Sequence, residues 1–377
     1  MKTAIKVIGI LQKAGFEAYM VGGAVRDFLL GQAPHDIDVA SSASPQQVKT
    51  LFKRTVDTGI EHGTVLVLID GEGIEVTTFR TEGSYSDNRR PDSVEFVQSL
   101  EEDLKRRDFT INAMAMTETL KIIDPFGGTE DLRKHIIRAV GEPDQRFQED
   151  ALRMLRAVRF SGQLDFSIEQ HTLESIRRHA SLIQSIAVER LKSEIDKIFA
   201  NPRTARSMEY LGKTDLTAFL PAGKLFEMDW SRYESSGKAV FGWFYLLHKN
   251  NRPFSEIKDY RFSNEDKRLI EKSLELAKLE FWDQWTFYYY AVDQLEMAAK
   301  ASGKLLDPAA AKAELPIQSK SDLAASGREF MEWSGERSGP WLKVWIEKLE
   351  KLIVYGELKN DKELIKDWFV NEYHRHA

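Results

Sequence analysis

The sequence predicts an α+β fold: a mixed-sheet head followed by a long all-helical remainder. Three observations carry that reading. Short β-branched runs bounded by Gly, Pro and Asp crowd the first 140 or so residues. Beyond about residue 145 they give way to apolar residues at helical spacing. The composition, 42% apolar and 30% charged over 377 residues, suits a chain that buries sizeable cores.

In chain order, a helix is expected over residues 3–15, where Ile5, Ile8 and Leu11 share a face and Gly15 follows the end. The runs EAYMVGG, HDIDVA, GTVLVLID, GIEVTTFR and SVEFV read as strands of one sheet. A helix over 45–53 has Ser44 as N-cap and Pro45 at its first position. Helical spacing then covers 150–163, 168–179, 188–199 and 204–211. It returns at 238–249, 255–260, 264–278, 285–301, 321–334 and 340–352. Four segments are expected: a head at 1–144 and helical stretches at 145–212, 213–284 and 285–377.

Several function classes are excluded. The longest strongly apolar run, Ala239 to Leu247, has nine residues, well short of the roughly 18 that cross a bilayer. Lys6 interrupts the apolar N-terminus and no small-residue cleavage site follows, so a secretory signal is not expected. Cysteine is absent, which removes disulfides, thiolate zinc sites and cysteine nucleophiles. A cytoplasmic protein with no membrane partner fits best; a homodimer is left open. The net charge is −6, and the first 160 residues carry 21 Lys/Arg against 25 Asp/Glu. Any phosphate binding therefore rests on individually placed arginines.

Two adjacent features point to such binding. In VGGAVRDFLLG a strand ends at Gly22 and Gly23 and a helix begins, so bare N–H groups can face an anion, with Arg26 one turn in. The spacing fits neither GxxxxGK[ST] nor GxGxxG, and alone the glycine pair is an ordinary turn. The run PHDIDVA follows. Asp36 and Asp38, two apart on an expected strand, leave the same face. Paired carboxylates repel unless a cation lies between them, and hard oxygen donors suit Mg²⁺. The alternation permits Glu75, on the expected strand 73–80, as a third carboxylate.

GGAVRDFLLG followed by DID resembles the head of the nucleotidyltransferases related to DNA polymerase β, in the branch of class II CCA-adding enzymes and bacterial poly(A) polymerases. Three later stretches resemble that branch in order: RRDFTINA at 106–113, DPFGG at 124–128 and EDALRMLRAVRF at 149–160. The resemblance is dense over residues 20–200 and thin after about 215. It implies a catalytic head at 1–144, a neck at 145–212 carrying a nucleotide-selecting helix, a body at 213–284 and a tRNA-binding tail. It also implies nucleotide contact by Arg107. Segment 82–91, EGSYSDNRRP, resembles the loop such enzymes need for the switch to ATP.

The last motif has chemistry of its own. Residues three apart on a helix are neighbours, so Asp150 and Arg153 are expected side by side. A carboxylate accepts from an exocyclic amine, and a guanidinium donates to a ring nitrogen or carbonyl. Cytosine and adenine both offer that amine-plus-acceptor edge, whereas uracil and guanine put a carbonyl where the carboxylate wants a donor. Each step of three turns a side chain back about 60°. Arg156 is expected at the nucleotide, and Arg159 faces away, toward triphosphate, neighbours or RNA. Arg190 belongs to a cationic supply in the neck suited to RNA. The C-terminal aromatics, Trp282, Trp285 and Phe287 to Tyr290, read as core.

Together these imply template-independent addition and repair of the tRNA 3′-terminal CCA. The partners are tRNA lacking its end, CTP and ATP, with two Mg²⁺ on Asp36 and Asp38. The alternatives are a poly(A) polymerase or an A-adding enzyme of the same branch, or an RNA-binding protein on an inactive transferase head. The Asp/Arg pair gives no reason to refuse CTP. The Asp36/Asp38 pair is of no use to a pure RNA binder.

Overall fold

A computed structural model of the chain describes residues 1–34, 36–59, 63–82, 94–97 and 99–376. It divides into two compact units, residues 1–242 with 259–261 and residues 243–258 with 262–377. That division is coarser than the four expected segments.

In the first unit, five strands come first: β1 (Ala18–Val21), β2 (Asp38–Ser41), β3 (Thr55–Gly59), β4 (Thr64–Ile69) and β5 (Glu72–Thr78). Four short ones follow, β6 (Arg80–Glu82), β7 (Val94–Phe96), β8 (Ala115–Met116) and β9 (Ile122–Ile123). Seven make one sheet in the order β3-β4-β5-β2-β1-β8-β9. Only β2 and β5 pair in parallel within it; the other neighbours are antiparallel. The sheet is mixed, as expected.

The run SVEFV departs from expectation, because β7 pairs with β6 in a separate two-stranded ribbon. Phe79 is the point of transfer. Its N–H donates to the Ser41 carbonyl in the large sheet, and its own carbonyl accepts from Val97 beside the ribbon.

Helices α1 (Lys2–Lys13), α2 (Gly23–Leu29), α3 (Pro45–Leu51), α4 (Leu100–Lys105) and α5 (Gly128–Lys134) belong to the head. α1 buries Val7, Ile8 and Leu11. α3 has the expected cap, Ser44 accepting from the Gln47 N–H while Gln47 accepts from that of Ser44. After Arg107 the chain makes a 3₁₀ turn, Thr110–Asn112, and Phe109, Ile111 and Met114 are wholly buried.

Helices α6 (Pro143–Glu149), α7 (Leu152–Leu164), α8 (Gln170–His179), α9 (Val188–Ala200) and α10 (Thr204–Lys213) follow. The helix expected from residue 150 begins at Leu152 instead. Asp150 has extended backbone, φ −137° and ψ 101°, and its Oδ1 accepts from the Leu152 N–H at 3.0 Å. A short acidic side chain that bonds its neighbouring backbone favours a helix boundary over a helix interior.

Helix α11 (Ala239–Lys249) leads into the second unit, whose helices are α12 (Asn264–Ala277), α13 (Gln284–Tyr289), α14 (Val292–Ser302), α15 (Pro308–Ala313), α16 (Gly327–Ser334), α17 (Pro340–Val354) and α18 (Lys362–His376). The expected helix 285–301 is two helices. Tyr290 is extended, and the Lys312 ammonium donates to the carbonyls of Phe287, Tyr288 and Tyr290, each at 2.8 Å. That side chain satisfies carbonyls a helix end leaves open. Tyr288, Phe330, Leu349, Ile353 and Phe369 form the core, with Trp285 and Phe287 packed on it. Tyr289 is instead 58% exposed. Helix α18 continues to His376. Among the described residues no helix is long and apolar enough to cross a membrane.

Candidate active site

The carboxylates gather on the parallel strand pair. Asp38 opens β2 and lies opposite Glu75 of β5 and Val21 of β1. Asp36 is not on the strand; it is exposed in the bend before β2. All three carboxylates line a cavity of about 800 Å³ with Glu72, Gly73 and Leu66. Burial raises the pKa of Asp38, the Arg107 charge lowers it and Asp36 raises it, with a net upward shift. Glu75 is also raised, by burial first and then by Asp38 and Asp36. Burial is the larger cause in both and the neighbouring carboxylates the lesser, and the donors are all hard oxygens. Among the described residues no three such side chains converge to hold an ion by themselves; Asp36 and Asp38 fit Mg²⁺ as a pair, since it takes one or two carboxylates and completes its shell with phosphate and water.

On the other side of Asp38 lies a second cavity, about 380 Å³, whose lining includes Gly22, Gly23, Arg26, Arg107, Asp150, Arg153, Arg156 and Arg190. Asp38 lines both cavities, which puts one carboxylate between an acidic chamber and a cationic one. Gly22 caps α2 with φ +71°, a conformation that favours glycine. A Cβ there would stand 2.8 Å from Arg107 Nη1. The missing side chain is what lets this guanidinium lie against the loop.

The arginines are held in different ways. Arg107 pairs with Asp103 at 3.1 Å, and its Nε is buried without a hydrogen-bond partner. Arg26 donates to Asp27 and to Asn112 Oδ1. Arg156 pairs with Asp108 at 2.7 Å. Arg153, 7% exposed, donates to Glu149, the Arg146 carbonyl and the Arg106 carbonyl. It lies beside Asp150 as the spacing suggested, its main-chain N–H donating to the Asp150 carbonyl at 3.0 Å, and both line the cavity. The Asp150 carboxylate meets Arg190 of α9 at 2.9 Å. Arg159 is turned away from the cavity, bonded to Glu194 and Gln163 with its guanidinium 3.9 Å over the Phe160 ring.

Residues 18–138 match the poly A polymerase head domain, 165–224 a probable RNA and SrmB-binding site of polymerase A, and 234–369 a putative second domain of tRNA nucleotidyltransferases. The CCA-adding enzyme of Geobacillus thermodenitrificans is 42% identical over 97% of this chain and 96% of its own. That of Listeria monocytogenes is 41% identical over 97% of each. The chain belongs to the CCA-adding enzymes. A crystal structure of the Bacillus stearothermophilus CCA-adding enzyme in complex with CTP superposes on it with a TM-score of 0.90 at 37% identity, covering 100% of this chain and 98% of that one.

Several residues of this family member's site escaped sequence reasoning. Asp103 stands three and four residues before Arg106 and Arg107, a helical ion-pair spacing that signals the clamp it makes on both. Asp108 and Asn112 are four apart in RRDFTINA and bond each other at 3.0 Å. Arg190 was expected among RNA-facing cations but lines the nucleotide-sized cavity; nothing local in sequence signals its contact with Asp150. The expected switch segment, from residue 83 to 91, lies outside the described residues.

Proposed function

We propose that this enzyme builds and repairs the 3′-terminal CCA of tRNA from CTP and ATP without a template, releasing pyrophosphate. The observation that carries the reading is the position of Asp38, shared between a carboxylate chamber and a cationic cavity of nucleotide size. Gly22, Gly23, Arg26 and Arg107 hold the triphosphate; the glycines let it approach the backbone, and Arg107 brings a buried unpartnered Nε beside the loop.

Asp150 and Arg153 read the base. Asp150 accepts from the amine of cytosine or adenine and rejects the carbonyl of uracil or guanine; Arg153 supplies donors at the neighbouring edge. Arg156 supports that edge through Asp108, and Arg159 acts on its neighbours Glu194 and Phe160.

Asp36 and Asp38, with Glu75 beside Asp38, fit Mg²⁺. Bound there, it would lower the pKa of the RNA 3′-hydroxyl and neutralise charge on the triphosphate and departing pyrophosphate. The head at 1–144 performs the transfer, the neck at 145–212 selects the nucleotide, and the helical body and tail at 213–377 take tRNA by shape and backbone.

The test is a set of tRNAs ending before C, before the second C and before A, each offered single nucleotides and pairs, with products resolved at one-nucleotide steps. Addition of two C residues and one A, with arrest after A, is expected. Repeated A addition would make the enzyme a poly(A) polymerase, and refusal of CTP would make it an A-adding enzyme.

A further inference from the structure

We infer that Arg190 is a positioning residue for base choice, fixing the carboxylate of Asp150 in the direction from which it meets the base. The inference rests on the base-edge reading above and adds a residue from another helix to it.

Asp150 stands in a break of the helical ladder, between α6 and α7, with extended backbone. Here both oxygens are held from different directions: Oδ1 by the Leu152 N–H at 3.0 Å and Oδ2 by Arg190 Nη2 at 2.9 Å. Two-point attachment prevents rotation of the carboxyl group. Its remaining lone pairs then keep one direction before any nucleotide arrives, which lowers the ordering cost of recognition.

Arg153 is anchored elsewhere: it donates to Glu149 at 2.6 Å and to the carbonyls of Arg146 and Arg106. Arg190 approaches from the first turn of α9 and lines the same cavity. Its Nη2 meets the Asp150 carboxylate, while its Nη1 is buried with no hydrogen-bond partner.

Selectivity follows from the fixed direction. An immobile acceptor penalises a carbonyl at the amine position, because two acceptors are forced together. A carboxylate free to swing can turn away and let uracil or guanine in. Arg190 therefore contributes to the rejection of wrong bases more than to the rate with right ones.

The experiment compares wild type with Arg190→Gln, Arg190→Lys, Asp150→Ala and the Asp150→Ala/Arg190→Gln double variant. It reads kcat/KM for CTP, ATP, UTP and GTP on a tRNA lacking its end, together with Tm and tRNA affinity measured without nucleotide. Arg190→Gln should lower discrimination against UTP and GTP about tenfold, with Tm and tRNA affinity nearly unchanged. Arg190→Lys, which keeps the charge but not the fork, should recover part of it. The double variant should be no less selective than Asp150→Ala, because Arg190 acts through Asp150. If Asp150→Ala relaxes selectivity while Arg190→Gln and Arg190→Lys slow all four nucleotides equally, Arg190 is structural and the inference fails. If Asp150→Ala itself leaves selectivity intact, the base-edge reading fails, and the inference with it. Should Arg190→Gln not fold, Arg190→Lys decides: wild-type selectivity with a lowered Tm overturns the assignment.

Discussion

Arg156 closes on Asp108 from 48 residues away, with Nε at 2.8 Å and Nη2 at 2.7 Å from the same carboxylate oxygen. The other oxygen of Asp108 accepts from the Phe109 N–H and from Asn112 Nδ2. Asn112 in turn accepts from Arg26 at 2.9 Å. One buried carboxylate thus joins the α2 loop, the RRDFTINA segment and α7.

That pairing makes stability depend on acid. Burial alone would raise the Asp108 carboxyl, but the Arg156 charge, the Asn112 hydrogen bond and Arg153 outweigh it and hold the pKa at about 2, from an ordinary 3.8. The folded state prefers the ionised form. Its stabilisation, about 2 kcal/mol for a shift of this size, is complete above pH 3.8 and disappears as pH falls through about 2. Urea denaturation of wild type and Asp108→Asn should show a gap that narrows between pH 4 and pH 2. A gap independent of pH would remove Asp108 as its source.

Asp38→Ala should abolish incorporation of both nucleotides, a loss of several kcal/mol of barrier stabilisation. Binding of tRNA should be retained. Asp36→Ala should do the same, because both line the acidic chamber. Single-turnover assays on tRNA ending before A decide this; near-normal turnover in either variant would falsify the metal-ligand assignment.

Gly22→Ala should raise KM for CTP and ATP alike. The new Cβ meets Arg107 Nη1 at 2.8 Å in a backbone at φ +71°, a strain on the order of 1 kcal/mol before any displacement of the arginine. The effect should appear in KM, about tenfold, and in weaker inhibition by pyrophosphate. A change in kcat alone would argue that the loop does not hold phosphate.

Lys312→Met should destabilise the second unit by about 1–3 kcal/mol, because three carbonyls lose their shared donor. Chemical denaturation followed by tryptophan fluorescence reports it, since Trp285 and Trp345 pack on the core of that unit. An unchanged midpoint would mean that water replaces the ammonium without cost.

How legible the molecule was depends on whether a signal is local. The strands β1, β2, β4 and β5 announce themselves by β-branched runs, and Ser44-Pro45 announces a helix start, because both are short-range effects. The two-residue strands β8 and β9 carry no period, and β3, with Asp57 inside TVDTG, looks like a turn. The break at Tyr290 was invisible because its cause, Lys312, is 22 residues away. The site behaves alike. Asp38 and the glycine pair were legible from spacing. The Asp150 break hides inside a run whose apolar spacing continues unbroken. Its partner Arg190 is 40 residues on, and no local pattern distinguishes that arginine from those on the surface.

The two-residue joint between α6 and α7 has a consequence for how this chain tolerates change in length. Beyond it, Arg153, Arg156 and Arg159 reach three separate acidic partners, Glu149, Asp108 and Glu194. Deleting or inserting a single residue at Ala151 would rotate everything after it by about 100° relative to what precedes it; Arg153 and Arg156 would lose Glu149 and Asp108 together, whereas Arg159 and Glu194 both follow the joint and move with it. A change of length here therefore disturbs several contacts at once, so natural insertions in this chain are expected in the other connections between helices and never between Asp150 and Arg159.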